Sequence, residues 1–315
     1  MVFENTPTVS VIIPAFNEEN MLTICLSSLS QIDWPKENLQ VIVVDNGSTD
    51  NTCQVARSMG AMVLKDPDAT VAGLRNLGAQ RAQGRFLAFV DADCTVAGDW
   101  LKSASRYFND DKIVAWGGPP EVPDNATWVQ KTWHVLRKKS KDVQEVDWLE
   151  SMNLFVKKET FDRVGGFDST LVTCEDVDLS YRLSSLGRIV ADRSIRMVHL
   201  GEAATLRQFV IKELWRGQDN LRGVFAHGFS LKELLSLAVP LYFGIFLPVI
   251  CIAALASGTP VLICSATIAG GLPGLLVLLK TRAKKVGVIL KIQLVWLSYI
   301  YFLVRTLAVL IPRKP

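Results

Sequence analysis

From Leu234 to Leu279 the chain carries no charged residue, a run of 46 positions (279 − 234 + 1) in a sequence that is 21% charged overall. That average predicts about ten charges over such a length, so the run cannot be the surface of an ordinary water-soluble domain. It either folds into a buried apolar hairpin or crosses a membrane, and its length suits two spans of about 20 residues each. Ser257-Gly258-Thr259-Pro260 supplies a turn, which places the spans near 236 to 257 and 260 to 280. A third apolar stretch, Val286 to Ile311, is interrupted by Lys291 and Arg305, whose long stems can snorkel toward the two interfaces of a tilted helix. That stretch either spans or lies at the interface. The one strongly basic loop between these segments, Lys280 to Lys285, is expected on the cytoplasmic side. Two crossings before it put the N-terminal part there as well, in a multi-pass protein of the cytoplasmic membrane in contact with membrane lipids. The first residues, MVFENTPTV, show no basic region followed by an apolar stretch, so no cleavable secretory signal is visible.

The rest of the chain is of another kind. Its charge balance, 34 − 31 = +3 over 315 residues, gives no basic field of the sort that nucleic-acid binding requires. Six cysteines are scattered without a C-x-x-C pair, which argues against a zinc module or a disulfide framework and for reduced thiols. Strand-like runs at Val9 to Ile13, Val41 to Val44, Met62 to Leu64 and Phe86 to Val90 alternate with helical segments near 19 to 31, 51 to 59 and 71 to 83. Such βαβα order predicts a mostly parallel α/β sheet covered by helices.

Ligands in open parallel sheets bind beyond the carboxyl ends of the strands. Three strands end there in polar clusters: Asn17-Glu18-Glu19 after the first, Asp45-Asn46-Gly47-Ser48-Thr49-Asp50 after the second, Asp91-Ala92-Asp93 after the fourth. Each alone is also an ordinary strand exit or cap. Together they gather carboxylates without basic residues nearby in sequence, and close carboxylates need a compensating cation. Asp91 and Asp93 stand two apart, so a continued strand would point both to one face, suited to a Mg2+ or Mn2+ ion bridging to a diphosphate.

The ordered set VIIPAFNEE, VIVVDNGSTDNT, LRNLGAQRAQGRFLAFVDAD and VGGFDSTLVTCEDVDLSYRL resembles the inverting nucleotide-sugar glycosyltransferases of family 2, over roughly residues 8 to 200. The resemblance implies an A-type glycosyltransferase fold, Rossmann-like, followed by transmembrane helices. It implies that Pro14, Ala15, Asn17, Glu18 and Asp45 hold the nucleobase and ribose. Arg75 and Asn76 would lie over the nucleotide, and Asp91 and Asp93 would form the metal-diphosphate motif with Asp93 as the direct ligand. His199, after an apparent strand Ile195 to Val198, matches a position where many A-type enzymes add a metal ligand, although a lone histidine is also a common surface residue.

The chemistry needs a base as well as an ion. Breaking the sugar-phosphate bond leaves negative charge on the diphosphate, while a carboxylate on the opposite side takes the acceptor's proton. Glu175-Asp176 resembles the family's acidic pair, with Asp176 as the base, and the start of a helix over Val177 to Leu186 is expected to keep it ionised. Thr173 to Asp176 also fits a capping box. One departure is Ser151-Met152-Asn153, where the family often has a glycine-containing loop. Trp116, Trp128, Trp133 and Trp148 fall where the family builds its acceptor side, or serve the core. Arg137 to Lys141 reads as a solvated face or a contact for anionic lipid, and Lys212, Arg216, Arg222 and Lys232 alternate with apolar residues as in an interfacial helix. His134 and His227 have no comparable context. Processive members carry Q-x-x-R-W, whereas here Trp215 precedes Arg216, which predicts single addition.

These readings divide the chain into a cytoplasmic catalytic domain over 1–205, membrane-proximal helices over 206–235 and a transmembrane region over 236–315. The expected function is transfer of a sugar from a nucleotide-diphosphate donor, UDP-linked, to a lipid-linked or polysaccharide acceptor. The alternatives are direct transfer to polyprenyl phosphate and a noncatalytic nucleotide-sugar-binding membrane scaffold. A dinucleotide-dependent oxidoreductase is disfavoured, because Pro14-Ala15-Phe16-Asn17 lacks G-x-G-x-x-G.

Overall fold

The computed structural model describes residues 8–137, 141–217, 238–281 and 286–310. They group into two compact units, one of Met1–Asp124 and Lys139–Glu202, the other of Asn125–Lys138 and Ala203–Pro315. The segment around Asn125–Lys138 lies inside the stretch expected to be catalytic, yet it clusters with the C-terminal helices.

In the first unit, strands β1 (Val9–Ala15), β2 (Leu39–Asp45), β3 (Met62–Lys65) and β4 (Phe86–Val90) alternate with helices α1 (Glu19–Ser30), α2 (Thr52–Ser58) and α3 (Val71–Arg81). β5 (Cys94–Val96), α4 (Trp100–Ala104), β6 (Ile113–Gly117), β7 (Val143–Glu145), β8 (Asn153–Lys157), α6 (Lys158–Arg163), α7 (Glu175–Ser184), β9 (Arg188–Asp192) and β10 (Met197–His199) complete it. The eight-stranded sheet runs β3-β2-β1-β4-β8-β6-β9-β7. β3, β2, β1 and β4 are mutually parallel, as the sequence predicts. The other half is mixed, because β8 lies antiparallel to both β4 and β6, and β7 antiparallel to β9. Because β6 and β8 are antiparallel, β6 ends and β8 begins on the same side of the sheet, and the segment between them, which includes α5 (Trp128–Arg137) and β7, need not cross to the other side as a parallel connection must.

β1 is buried at every position, which explains why VSVIIPA shows no polar alternation. One face of the sheet packs on Leu22, Cys25, Leu26 and Leu29 of α1 with Trp100 and Trp116; the other packs on Leu74 and Ala79 of α3 and Leu179 and Leu183 of α7. A Cβ on Gly78 would stand 2.5 Å from Ile12 Cγ2, so glycine lets α3 settle directly on β1. Trp116 is fully buried and stacks on Phe155, which makes it core.

The second unit holds α5 (Trp128–Arg137), α8 (Leu206–Arg216) and three helices long and apolar enough to cross a membrane, Ala238–Ser257, Leu262–Leu279 and Val288–Leu310. These match the three apolar stretches of the sequence. Gly258, in the left-handed region at φ +61°, ends the first. Thr205 and Gln208 form a capping box that starts α8. Val129, Ala203, Phe209 and Leu297 make a small apolar cluster against which Trp133 and Tyr301 pack. Arg305 does not snorkel: its Nη2 lies 3.1 Å from Oε2 of the fully buried Glu213, whose Oε1 accepts from Arg216 at 2.8 Å. A buried carboxylate makes the inward pair favourable where an unpaired guanidinium would have to reach for water. Residues 138–140, most of the basic 280–285 loop, and Leu221, Arg222, Phe225, His227 and Lys232 of the expected interfacial segment lie outside the described residues.

Candidate active site

The carboxyl ends of β1 and β2 lie side by side, with Ala15 opposite Asp45. Beyond them two loops are laced together. Asn17, in the left-handed region at φ 53°, donates its amide to Ser48 Oγ (2.9 Å) and accepts from the Thr49 amide (2.8 Å), while the Glu18 amide donates to Thr52 Oγ1 (2.9 Å). Asp45 is fully buried and accepts from the Gly47 and Ser48 amides, so its carboxylate organises its own turn. Pro14 and Ala15 close β1 against this double loop. Phe16 stands 54% exposed beside them, a candidate the sequence reading passed over.

For Asp91 and Glu175, part of the compensation expected from a divalent cation comes from the protein itself. Arg75, on α3 and buried, donates Nη2 to Asp91 Oδ1 and Nη1 to Glu175 Oε1, each at 2.7 Å. Its planar fork ties the end of β4 to the start of α7. Asn76 brackets the backbone of Phe167 from both sides, donating to its carbonyl (2.8 Å) and accepting from its amide (2.9 Å). A Cβ on Gly166 would strike Asn76 Oδ1 at 2.6 Å, while Gly165 faces open space and is required by its left-handed backbone at φ +82°.

Asp91 and Asp93 do not share the face of one strand. β4 stops at Val90, and the chain turns before β5, because Cys94 to Val96 pair instead with β10. Asp91 therefore meets Arg75, while Asp93 Oδ2 meets His199 Nε2 at 3.1 Å. Ligand atoms of Asp93, Cys94 and His199 lie within 4.8 Å of one another, a group that omits Asp91. Burial, then the Asp91 and Asp93 charges, push the Cys94 thiol well above its ordinary value. Carboxylate and imidazole are donors that Mn2+ accepts, and a buried imidazole facing a carboxylate fits such an ion. A Cβ at Gly201 would fall 1.7 Å from Asp93 Oδ2, so glycine reserves the space that this carboxylate occupies. If Asp93 holds the ion, Gly201→Ala is expected to displace its side chain and weaken Mn2+ binding at least about tenfold while leaving the melting temperature nearly unchanged, checked by Mn2+ titration and a thermal scan.

The second acidic element begins at Cys174, the N-cap of α7, held at φ 64° and without a side-chain cap. The capping box over Thr173 to Asp176 is therefore not what starts this helix. Nor does the helix start dominate the charge of Asp176. Burial, then Glu175 and Glu150, push its carboxyl up to about 7, against the pull of Arg75 and the Val177 amide. Glu150 has no signal in the sequence beyond closing the acidic stretch of Asp142, Glu145 and Asp147. If Asp176 is the base, kcat/KM rises with pH through about 7, since the raised carboxyl must lose its proton before it can accept one. A pH–rate profile checks this, and a limb near the ordinary carboxylate range would contradict it.

Asn153, at the departure from the family pattern, is buried and holds Trp100 Nε1 and the carbonyls of Gly118 and Ile195. It serves the sheet edge. Trp128 and Trp148 are both partly exposed, whereas Trp133 packs edge-on against Phe209 in the second unit.

The laced loops at the carboxyl edge of the sheet, the carboxylate–imidazole pair and the arginine-bridged helix start fall where a nucleotide-sugar transferase of the resembled family is expected to carry its site. The family model of glycosyl transferase family 2 matches residues 10–171, and the chain belongs to that family. Its curated relatives include the glycosyltransferase AglE of Haloferax volcanii, 27% identical over 255 residues that cover 77% of this chain and 82% of that one. The poly(ribitol-phosphate) β-N-acetylglucosaminyltransferase TarS of Staphylococcus aureus is 33% identical over 107 residues, 32% of this chain and 19% of that one. Among solved structures, the mannosyltransferase PcManGT of Pyrobaculum calidifontis, in complex with GDP-Man and Mn2+, superposes with a TM-score of 0.68 over 96% of this chain and 88% of that one, at 19% identity. The fold is thus the A-type glycosyltransferase fold, and the protein is a glycosyltransferase.

Proposed function

We propose that the protein is a metal-dependent inverting glycosyltransferase that takes a sugar from a nucleoside-diphosphate donor, a UDP-sugar, and attaches it to a lipid-linked or polysaccharide acceptor at the cytoplasmic face of the membrane. The observation that carries this reading is the Arg75 bridge, which gathers Asp91, Glu175 and the adjoining Asp176 into one site. The mannosyltransferase neighbour with GDP-Man and Mn2+ supports the donor chemistry, and the three apolar helices support the membrane setting.

In this reading the laced loops carrying Pro14, Ala15, Asn17 and Glu18 receive the nucleoside, with Asp45 fixing the second loop from beneath. Asp93 and His199 would hold the Mn2+ or Mg2+ ion, which neutralises charge on the departing diphosphate. Arg75 and Asn76 act as positioning residues, the first setting Asp91 and Glu175, the second setting the loop before α7. Asp176 takes the proton of the acceptor hydroxyl. The 1–205 catalytic segment and the cytoplasmic orientation belong to the same proposal.

A membrane extract containing acceptor, supplied with a panel of nucleotide sugars and Mn2+, tests it by nucleotide release and product mass. Asp93→Asn is expected to weaken Mn2+-dependent donor binding by about 10- to 100-fold, read by calorimetry with and without the ion. Donor binding that is indifferent to both the ion and this substitution would refute the metal assignment.

A further inference from the structure

Cys94 follows the two aspartates in sequence and has no part in the transfer reaction as derived. Its surroundings are unusual for a core thiol. Cys94 and His199 are directly opposed partners in the antiparallel pair of β5 and β10, so both side chains issue from one rigid two-strand platform. Both residues are buried, at 0% and 5% exposure, while Asp93 keeps a route to solvent. The Cys94 Sγ lies 3.6 Å from Asp93 Oδ1, and His199 Nε2 lies 3.1 Å from Asp93 Oδ2. The two distances run to different oxygens of the carboxylate, and one ligand atom from each of the three residues lies within 4.8 Å of the others, so a small contraction brings them to the roughly 3.3–3.7 Å that separates ligands of one tetrahedral zinc ion. Behind the imidazole, Glu202 Oε2 stands 3.8 Å from Nδ1, beyond hydrogen-bond distance, and adds a buried negative charge on that side of the ring.

We propose that Asp93, Cys94 and His199 form a zinc-selective site, in which Zn2+ takes a third, thiolate ligand that Mn2+ does not use and thereby occupies the place of the ion needed for transfer. This rests on the reading that Asp93 and His199 hold a divalent cation, and extends it by a residue and an ion of different chemistry. Thiolate favours Zn2+ over the harder Mn2+, and Zn2+ also stands above Mn2+ in intrinsic affinity for nitrogen and oxygen donors. On binding, the S–H bond is lost to solvent as a proton and a sulfur–metal bond forms, with no change of oxidation state. The fourth position stays open to water or to a phosphate oxygen.

The test uses the full chain in detergent, stripped of metal, with Co2+ as the spectroscopic stand-in for Zn2+. A thiolate-to-cobalt charge-transfer band in the near ultraviolet is expected in the wild type and in Cys25→Ser, lost in Cys94→Ser and abolished by added Zn2+. Chelator competition should show Zn2+ affinity falling roughly 100-fold in Cys94→Ser, with Mn2+ affinity, read by electron paramagnetic resonance, within about threefold of wild type. A wild-type protein without the band, or a Cys94→Ser variant that keeps it, overturns the zinc site whatever the variant's stability. If Asp93→Asn abolishes Mn2+ binding and the wild type shows no cobalt–thiolate band, only the zinc site falls. If Asp93→Asn leaves both ions bound as before, the parent metal assignment falls with it.

Discussion

Asp176→Asn is expected to lower kcat by about 10²- to 10⁴-fold, the usual worth of a positioned general base, while donor binding and the melting temperature stay close to wild type. The amide keeps the size of the carboxylate and cannot take a proton. Since burial and the Glu175 and Glu150 charges already push Asp176 up to about 7, removing its charge relieves repulsion, so the fold has no reason to weaken. A single-turnover assay beside a donor-binding titration separates the two effects. Turnover within about threefold of wild type would remove Asp176 from the base role.

The second large effect belongs to Arg75. Arg75→Met leaves Asp91 and Glu175 without the guanidinium that each meets at 2.7 Å, with the arginine and Glu175 largely shielded from water and Asp91 partly so. Breaking a buried pair by removing one partner costs about 3–5 kcal/mol, and here one partner serves two carboxylates. A fall in melting temperature of roughly 10 °C and loss of transfer are expected together. Arg75→Lys separates charge from geometry: a single ammonium restores part of the stability but cannot span both carboxylates, so melting should recover further than kcat. Equal recovery of both would show that the bridge matters only as charge.

Much of the catalytic edge was legible in the sequence because it is built from local events. Strand exits at Ala15, Asp45 and Val90 follow from apolar runs that end in polar turns, and the three apolar helices follow from composition alone. What escaped is what depends on residues far apart in the chain. The partner of Asp91 is 16 positions away and that of Glu175 is 100, so no spacing could nominate Arg75 as their common cation. The turn between Asp91 and Asp93 follows from the pairing of β5 with β10, a contact across about a hundred residues. Glu150 likewise reaches Asp176 only through the fold. The reversal of Arg305 has the same origin, since Glu213 is invisible to a reading that treats each apolar stretch by itself.

That buried carboxylate also limits how the protein can be shortened for study in water. Deleting the C-terminal helix would take Arg305 away from the buried Glu213, and stopping before Ala203 would strip Val129 and Trp133 of α5 of the side chains that now cover them. Either cut exposes greasy or uncompensated groups, so detergent or a lipid disc around the whole polypeptide is the sounder medium for crystallisation and assay.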